Sequence, residues 1–202
     1  LARPYQYPER KFYKMYGKQK SDNIEEISIK GGIPEIMEVI LYADERSAPF
    51  TSSISRTLKG RDNEETFYNI WQFARKNVRY IEDKPGNEVI KSPGNLLTKG
   101  EGDCKSFSVL VGSILQNLQV PYFYRLIWEK PWVPNIAHVY VMAEIEPGVY
   151  FPIDPVNSNF GEEPFYYFFA KRDYHPSAAI GGLKRSEPIP LFKALQLIKN
   201  LV

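Results

Sequence analysis

The stretch Gly100-Glu101-Gly102-Asp103-Cys104-Lys105-Ser106-Phe107 contains the only cysteine among 202 residues, and it runs from a glycine-rich turn straight into a strongly periodic segment. Phe107, Leu110, Val111, Ile114, Leu115 and Leu118 recur at helical spacing, which predicts a helix opening at Cys104 with one continuous apolar face. Val109 adds apolar surface on another side while Ser108, Gly112 and Ser113 are small, so the helix is expected to be almost fully buried. It should end near 117–119, because Pro121 forbids continuation and biases Val120 towards extended backbone. A thiol at a helix N-terminus meets unpaired N–H groups and the positive end of the helix dipole, and both favour thiolate over thiol. The same N–H groups suit the oxyanion of an acyl intermediate. An isolated cysteine is more often a small buried hydrophobe; here Asp103, Lys105 and Ser106 weigh towards a polar, reactive setting.

A thiolate nucleophile needs a base, and the chain holds two histidines. His138 lies in Ile136-Ala137-His138-Val139-Tyr140-Val141-Met142-Ala143-Glu144-Ile145, a β-branched and aromatic run that reads as a strand. His138, Tyr140, Met142 and Glu144 share one face; Val139, Val141, Ala143 and Ile145 share the other, which is expected to face the core. His175, in the polar stretch Arg172-Asp173-Tyr174-His175-Pro176, reads as a solvated loop residue. Beyond His138 the chain turns at Glu146-Pro147-Gly148 and returns as Val149-Tyr150-Phe151-Pro152-Ile153-Asp154-Pro155. A hairpin centred near Glu146 sets 138 opposite 154 and lets the Asp154 carboxylate reach the imidazole, a register that a one-residue slip would undo. Asp154 also reads as an Asp-Pro turn marker. A helix-start Cys, a strand His and a next-strand Asp supply nucleophile, base and orienter.

Residues 78–157 resemble the transglutaminase-like superfamily of papain-type cysteine enzymes. The pieces stand in that family's order: Val78-Arg79-Tyr80, Ser92-Pro93, Leu96-Leu97, Gly102-Asp103-Cys104, His138-Val139-Tyr140-Val141 and Ile153-Asp154-Pro155-Val156. The resemblance implies that Cys104, His138 and Asp154 are the catalytic triad, and the form looks most like bacterial and phage members. It also implies a thioester route to hydrolysis or transfer of an amide, with a peptide or protein amide as substrate and no cofactor. Many relatives carry an acidic residue where this chain has Lys105-Ser106, and His-Val-Tyr replaces their His-Ala-Trp. Tyr80 and Asn95 are the candidates for a second oxyanion donor. The rival reading is a binding or assembly module that has kept the fold.

Outward from that segment, Pro34 followed by Ile36, Met37, Val39, Ile40 and Leu41 predicts a helix with proline in its first turn. Asp62-Asn63-Glu64-Glu65 is a helix cap followed by Phe67, Ile70, Trp71, Ala74 and Val78 at helical spacing, read as core and scaffold. Tyr122 to Trp128 reads as a strand beside the hairpin. The expected fold is α+β, papain-like or transglutaminase-like, with the Cys-bearing helix packed on an antiparallel sheet. The expected organisation is a basic aromatic arm over 1–30, a catalytic domain over 31–172, and a linker with a short amphipathic C-terminal helix over 173–202.

The arm carries Arg3, Arg10, Lys11, Lys14, Lys18 and Lys20 against Glu9 alone, interleaved with Tyr5, Tyr7, Phe12, Tyr13 and Tyr16, in a chain of net charge +2. Such an arm suits nucleic acid or an acidic partner, though a solvated arm, or one lying across its own domain, is the favoured reading. The stripe Leu191, Ala194, Leu195, Ile198 and Val202 would dock on the domain or on a protein partner. No apolar run is long enough to span a bilayer. The single cysteine excludes an internal disulfide and leans towards the cytoplasm, although a start at Leu1 leaves a removed leader open. With two distant histidines and no cysteine pair there is no recognisable zinc cage, so no metal ligands are assigned.

Overall fold

The structure, a computed structural model, describes residues 26–30, 32–84, 87–129, 137–164 and 169–176. The expectations for the basic arm over 1–20 and for the apolar stripe over 191–202 lie outside the described residues.

Strand β1 (Glu26–Ile29) leads into α1 (Ile33–Leu58) and α2 (Asn63–Asn77). Short β2 (Arg79–Tyr80), β3 (Glu88–Lys91), α3 (Pro93–Lys99) and β4 (Glu101–Gly102) then bring the chain to α4 (Cys104–Asn117). The strands β5 (Tyr122–Glu129), β6 (Ala137–Glu146), β7 (Val149–Ile153) and β8 (Phe169–Tyr174) form an antiparallel sheet in the order β7-β6-β5-β8. The α+β expectation holds: α4 lies on the face carrying Val139, Val141 and Ala143, and its residues 104 to 115 are all buried. On the opposite face Phe123, Ile127, Tyr140 and Met142 form a separate apolar cluster.

Helix α1 continues to Leu58, well past the Ile36–Leu41 stretch that hydrophobic spacing marks. Its later buried positions include Ser47, Thr51 and Ser55, which hide the period from a hydrophobicity reading. Burial is possible because each hydroxyl donates to a carbonyl: Ser47 to Ala43 at 2.5 Å, Ser55 to Thr51 at 2.7 Å, and Thr51 across to Ser113 of α4 at 3.1 Å. Asn117 of α4 donates back to Ala48 at 2.7 Å. α2 opens as its cap sequence predicts, with Asp62 accepting the Glu65 N–H at 2.7 Å and Glu65 accepting the Arg61 N–H at 2.8 Å. Among the described residues no helix is both long and apolar enough to cross a membrane.

Three differences from the sequence reading concern strands. Glu26–Ile29, within the segment expected as an arm, pairs with β3. Arg172, Asp173 and Tyr174, expected as loop, form the end of edge strand β8, which Arg125 of β5 ties down through two bonds to Asp173 at 2.8 and 2.9 Å. Edge strands tolerate such polar composition, so no apolar alternation announces them. His175 does lie exposed just beyond β8, with its ring 5.1 Å from that of Phe123. Finally, β6 and β7 pair with Val141 opposite Ile153 and an irregularity between Glu144 and Glu146, so the register is displaced by two residues from the expected pairing of 138 with 154. The displacement is even, and an even shift keeps every side chain on its own face.

Candidate active site

Two glycines bring Cys104 to the start of its helix. Gly100 closes α3 in the left-handed conformation with φ 67°, where glycine alone carries no steric cost. Gly102 passes so close to α3 that a Cβ there would overlap Leu96. Asp103 is the N-cap of α4, its Oδ1 accepting the Ser106 N–H at 3.3 Å, and Cys104 is the first helical residue, whose own N–H has no partner within the helix. The thiol is buried at 7% exposure.

His138 stands near the start of β6 with its Nε2 2.8 Å from Asp154 Oδ2. Cys104, at the start of the helix packed on the same strand, is close enough to act on this imidazole. Burial alone would lower the basicity of this imidazole; hydrogen bonds to Asp154 and Cys104, with their charges, outweigh burial and push its pKa up to about 10. Tyr140 backs the ring, with centroids 5.7 Å apart and planes 23° from parallel, and its hydroxyl donates to Glu163 at 3.0 Å. The structure thus brings Cys104, His138 and Asp154 together, from α4, β6 and the residue after β7.

Asp154 is itself held on several sides. Its Oδ1 accepts the Val156 N–H at 3.0 Å, and its carbonyl accepts the Trp71 indole N–H at 3.0 Å. Arg75, one turn along α2, donates to the carbonyls of Pro155 at 3.0 Å and Asn157 at 2.7 Å and stacks over Trp71 at 4.9 Å. Sequence spacing identifies Trp71 only as a core residue and gives Arg75 no role. The polar end of an amphipathic residue carries no periodic signal, so only the fold reveals that α2 grips the loop bearing the carboxylate.

Tyr80 lies on β2, paired in parallel with Gly102, and is 40% exposed. Burial, then the charges of Cys104, Glu82 and Asp103, raise its pKa well above the ordinary phenol value, so it is a neutral O–H donor. Asn95, the other candidate, is buried on α3.

The neighbours of Cys104 are polar as expected, yet Asp103, Lys105 and Ser106 are buried with it. Carboxylate oxygens of Asp83, Glu88 and Asp103 converge within 4.8 Å of one another, a hard-ligand set of the kind that holds a cation. The Lys105 ammonium lies among them, 2.6 Å from Glu88, 3.1 Å from Asp83 and in contact with Asp103. Burial raises the Asp103 pKa to about 6 against the opposing pull of Lys105.

Residues 50–172 match the family described as Transglutaminase-like domain. A UPF0252 protein of Pyrococcus furiosus is 32% identical over 75 residues, which are 37% of this chain and 23% of that protein's length. Among solved structures, Legionella pneumophila LapG aligns over 85% of this chain and 98% of its own with a TM-score of 0.48 and 18% identity. A TGase crystal structure aligns over 64% of this chain and 36% of its own with a TM-score of 0.39 and 11% identity.

Proposed function

The chain belongs to the transglutaminase-like domain family, and on that premise we propose that it is a thiol enzyme of this class, acting on the amide of a peptide or protein through a Cys104-His138-Asp154 triad. The observation that carries the reading is the 2.8 Å contact between His138 Nε2 and Asp154, with Cys104 opening the helix that packs on the His138 strand. The Cys104 thiolate attacks the amide carbonyl carbon, and the carbonyl π pair moves to oxygen. That oxyanion is held by the Cys104 N–H and by the Tyr80 hydroxyl as second donor. As the C–N bond breaks, the His138 imidazolium gives its Nδ1 proton to the departing amine, leaving a thioester and neutral imidazole. Water then attacks the thioester while His138 takes its proton; the acid leaves, and the thiolate–imidazolium pair returns. An amine in place of water gives a new amide by the same steps. Asp154 fixes the tautomer and stabilises the imidazolium.

The test is alkylation by iodoacetamide together with turnover of a panel of fluorogenic peptide amides. Cys104→Ala is expected to abolish both. His138→Ala should slow alkylation near neutral pH by about tenfold or more, since the thiolate loses its cationic partner. Asp154→Asn should leave the fold largely intact and lower kcat on the order of ten thousandfold, the cost of the equivalent change in a serine triad. A folded His138→Ala variant that alkylates at the rate of the unsubstituted protein would falsify the triad, and the binding or assembly module would take its place.

A further inference from the structure

We propose that Lys105 is a positioning residue: its ammonium is a tethered cation in the Asp83–Glu88–Asp103 carboxylate cage, and it sets the start of α4 and hence the place of Cys104 without a metal ion. The inference rests on Cys104 being the reacting group.

The three carboxylates come from separate segments: Asp83 from the loop after β2, Glu88 from β3, and Asp103 from the residue before Cys104. Like charges packed within 4.8 Å repel strongly when solvent is excluded, so the cage needs a cation in order to close. An ammonium has three N–H donors, and Lys105 meets three carboxylates while its side chain is only 8% exposed. The cage is also wired to the helix start. Asp103 turns one oxygen to Lys105 and the other to the Ser106 N–H that it caps. The Ser106 hydroxyl accepts the Lys91 N–H of β3 at 3.0 Å, and Asp83 accepts the Val89 N–H at 2.6 Å. Removing the cation therefore loosens the cap, the β3 junction and the first turn of α4 together, and Cys104 lies within that turn.

A cage of oxygen ligands emptied of its lysine has the chemistry of a hard divalent site. Lys105→Met keeps most of the apolar stem of the side chain but deletes its charged end, so the variant should accept calcium where the unsubstituted protein does not need it.

The experiment follows iodoacetamide labelling of Cys104 and melting temperature in EGTA and in about 5 mM calcium chloride, above the range of weak oxygen-ligand calcium sites. The unsubstituted protein should behave alike in both. Lys105→Met should label about tenfold or more slowly in EGTA, because a loosened helix start takes Cys104 away from His138 and its thiolate loses that cationic partner. Calcium should raise its melting temperature and return labelling to within about threefold of the unsubstituted rate. Glu88→Gln added to Lys105→Met should abolish that rescue. If Lys105→Met does not fold, the triple variant Asp83→Asn, Glu88→Gln, Lys105→Met removes cation and excess anions together and should fold and label without metal. The proposal is overturned if folded Lys105→Met labels normally in EGTA, if calcium neither stabilises nor rescues it, if calcium shifts the unsubstituted protein equally, or if the triple variant is as impaired as the single one. The melting arms do not involve His138, so a failed triad would appear as indifference to His138→Ala with the calcium response intact.

Discussion

Asp44 on α1 is fully buried against the helix that carries Cys104, and its ionisation should govern how stability varies with pH. Its Oδ2 accepts the Tyr122 hydroxyl at 2.7 Å, and its Oδ1 lies buried beside the Tyr124 hydroxyl. These two atoms share the space that Gly112 leaves open, since a Cβ at 112 would overlap the Tyr124 hydroxyl and come 2.7 Å from Asp44 Oδ1. Burial raises the Asp44 pKa from 3.8 to about 7, with the Tyr122 and Tyr124 hydroxyls pulling it down and Glu45 adding a smaller push upward. At about 1.4 kcal/mol per pKa unit, keeping this carboxylate ionised costs the fold about 4 kcal/mol. Between pH 4 and 7 the folded chain holds a proton that the unfolded chain has released, so stability falls as pH rises and levels off above about 7. The unfolded chain is already largely ionised at pH 5, which leaves about 2 to 3 kcal/mol of the fall between pH 5 and pH 8. With a urea m-value of about 2 kcal/mol/M, that is a midpoint lower by about 1 M at the higher pH. Asp44→Asn is neutral at both pH values and should remove this share of the change. Urea melts of both proteins at both pH values isolate it, because Asp103, which acts in the same direction, cancels in the double difference. A pH-dependent fall that persists undiminished in Asp44→Asn would refute the reasoning.

Two further outcomes concern the site. Tyr80→Phe keeps the ring and deletes the hydroxyl, and steady-state kinetics on a cleaved amide should give a kcat lower by about a hundredfold with KM little changed, as for loss of one oxyanion donor; an unchanged kcat would remove Tyr80 from the mechanism. Trp71→Phe removes the N–H that bonds the Asp154 carbonyl while keeping an aromatic ring against Phe160. It should lower kcat about tenfold and slow alkylation of Cys104, with a loss of stability near 1 kcal/mol by urea melt; equal kcat in the two proteins would show that α2 is scaffold alone.

How the site came to be partly legible is clear from particular residues. The helix at Cys104 and the alternation along β6 are local, since each is a spacing of apolar side chains within about a dozen residues, and burial rewards that spacing wherever the element packs. The approach of His138 to Asp154 survived a register displaced by two residues because face is conserved under any even shift. Other features depended on partners far along the chain. Thr51 is a core residue of α1 because the Ser113 carbonyl of α4 accepts its hydroxyl. β8 exists because Arg125 and the β5 edge meet it, and Trp71 and Arg75 hold the Asp154 loop from 80 or more residues away. Lys105 reads in sequence as one more polar neighbour of the cysteine; its three carboxylates converge only once the chain between 83 and 103 has closed around it. Periodicity records which face of an element is buried, and it carries no term for which polar atoms meet when those faces come together. The sequence alone therefore determined the helix at Cys104 and the faces of the hairpin, while the tertiary structure decided what holds the three site residues in place.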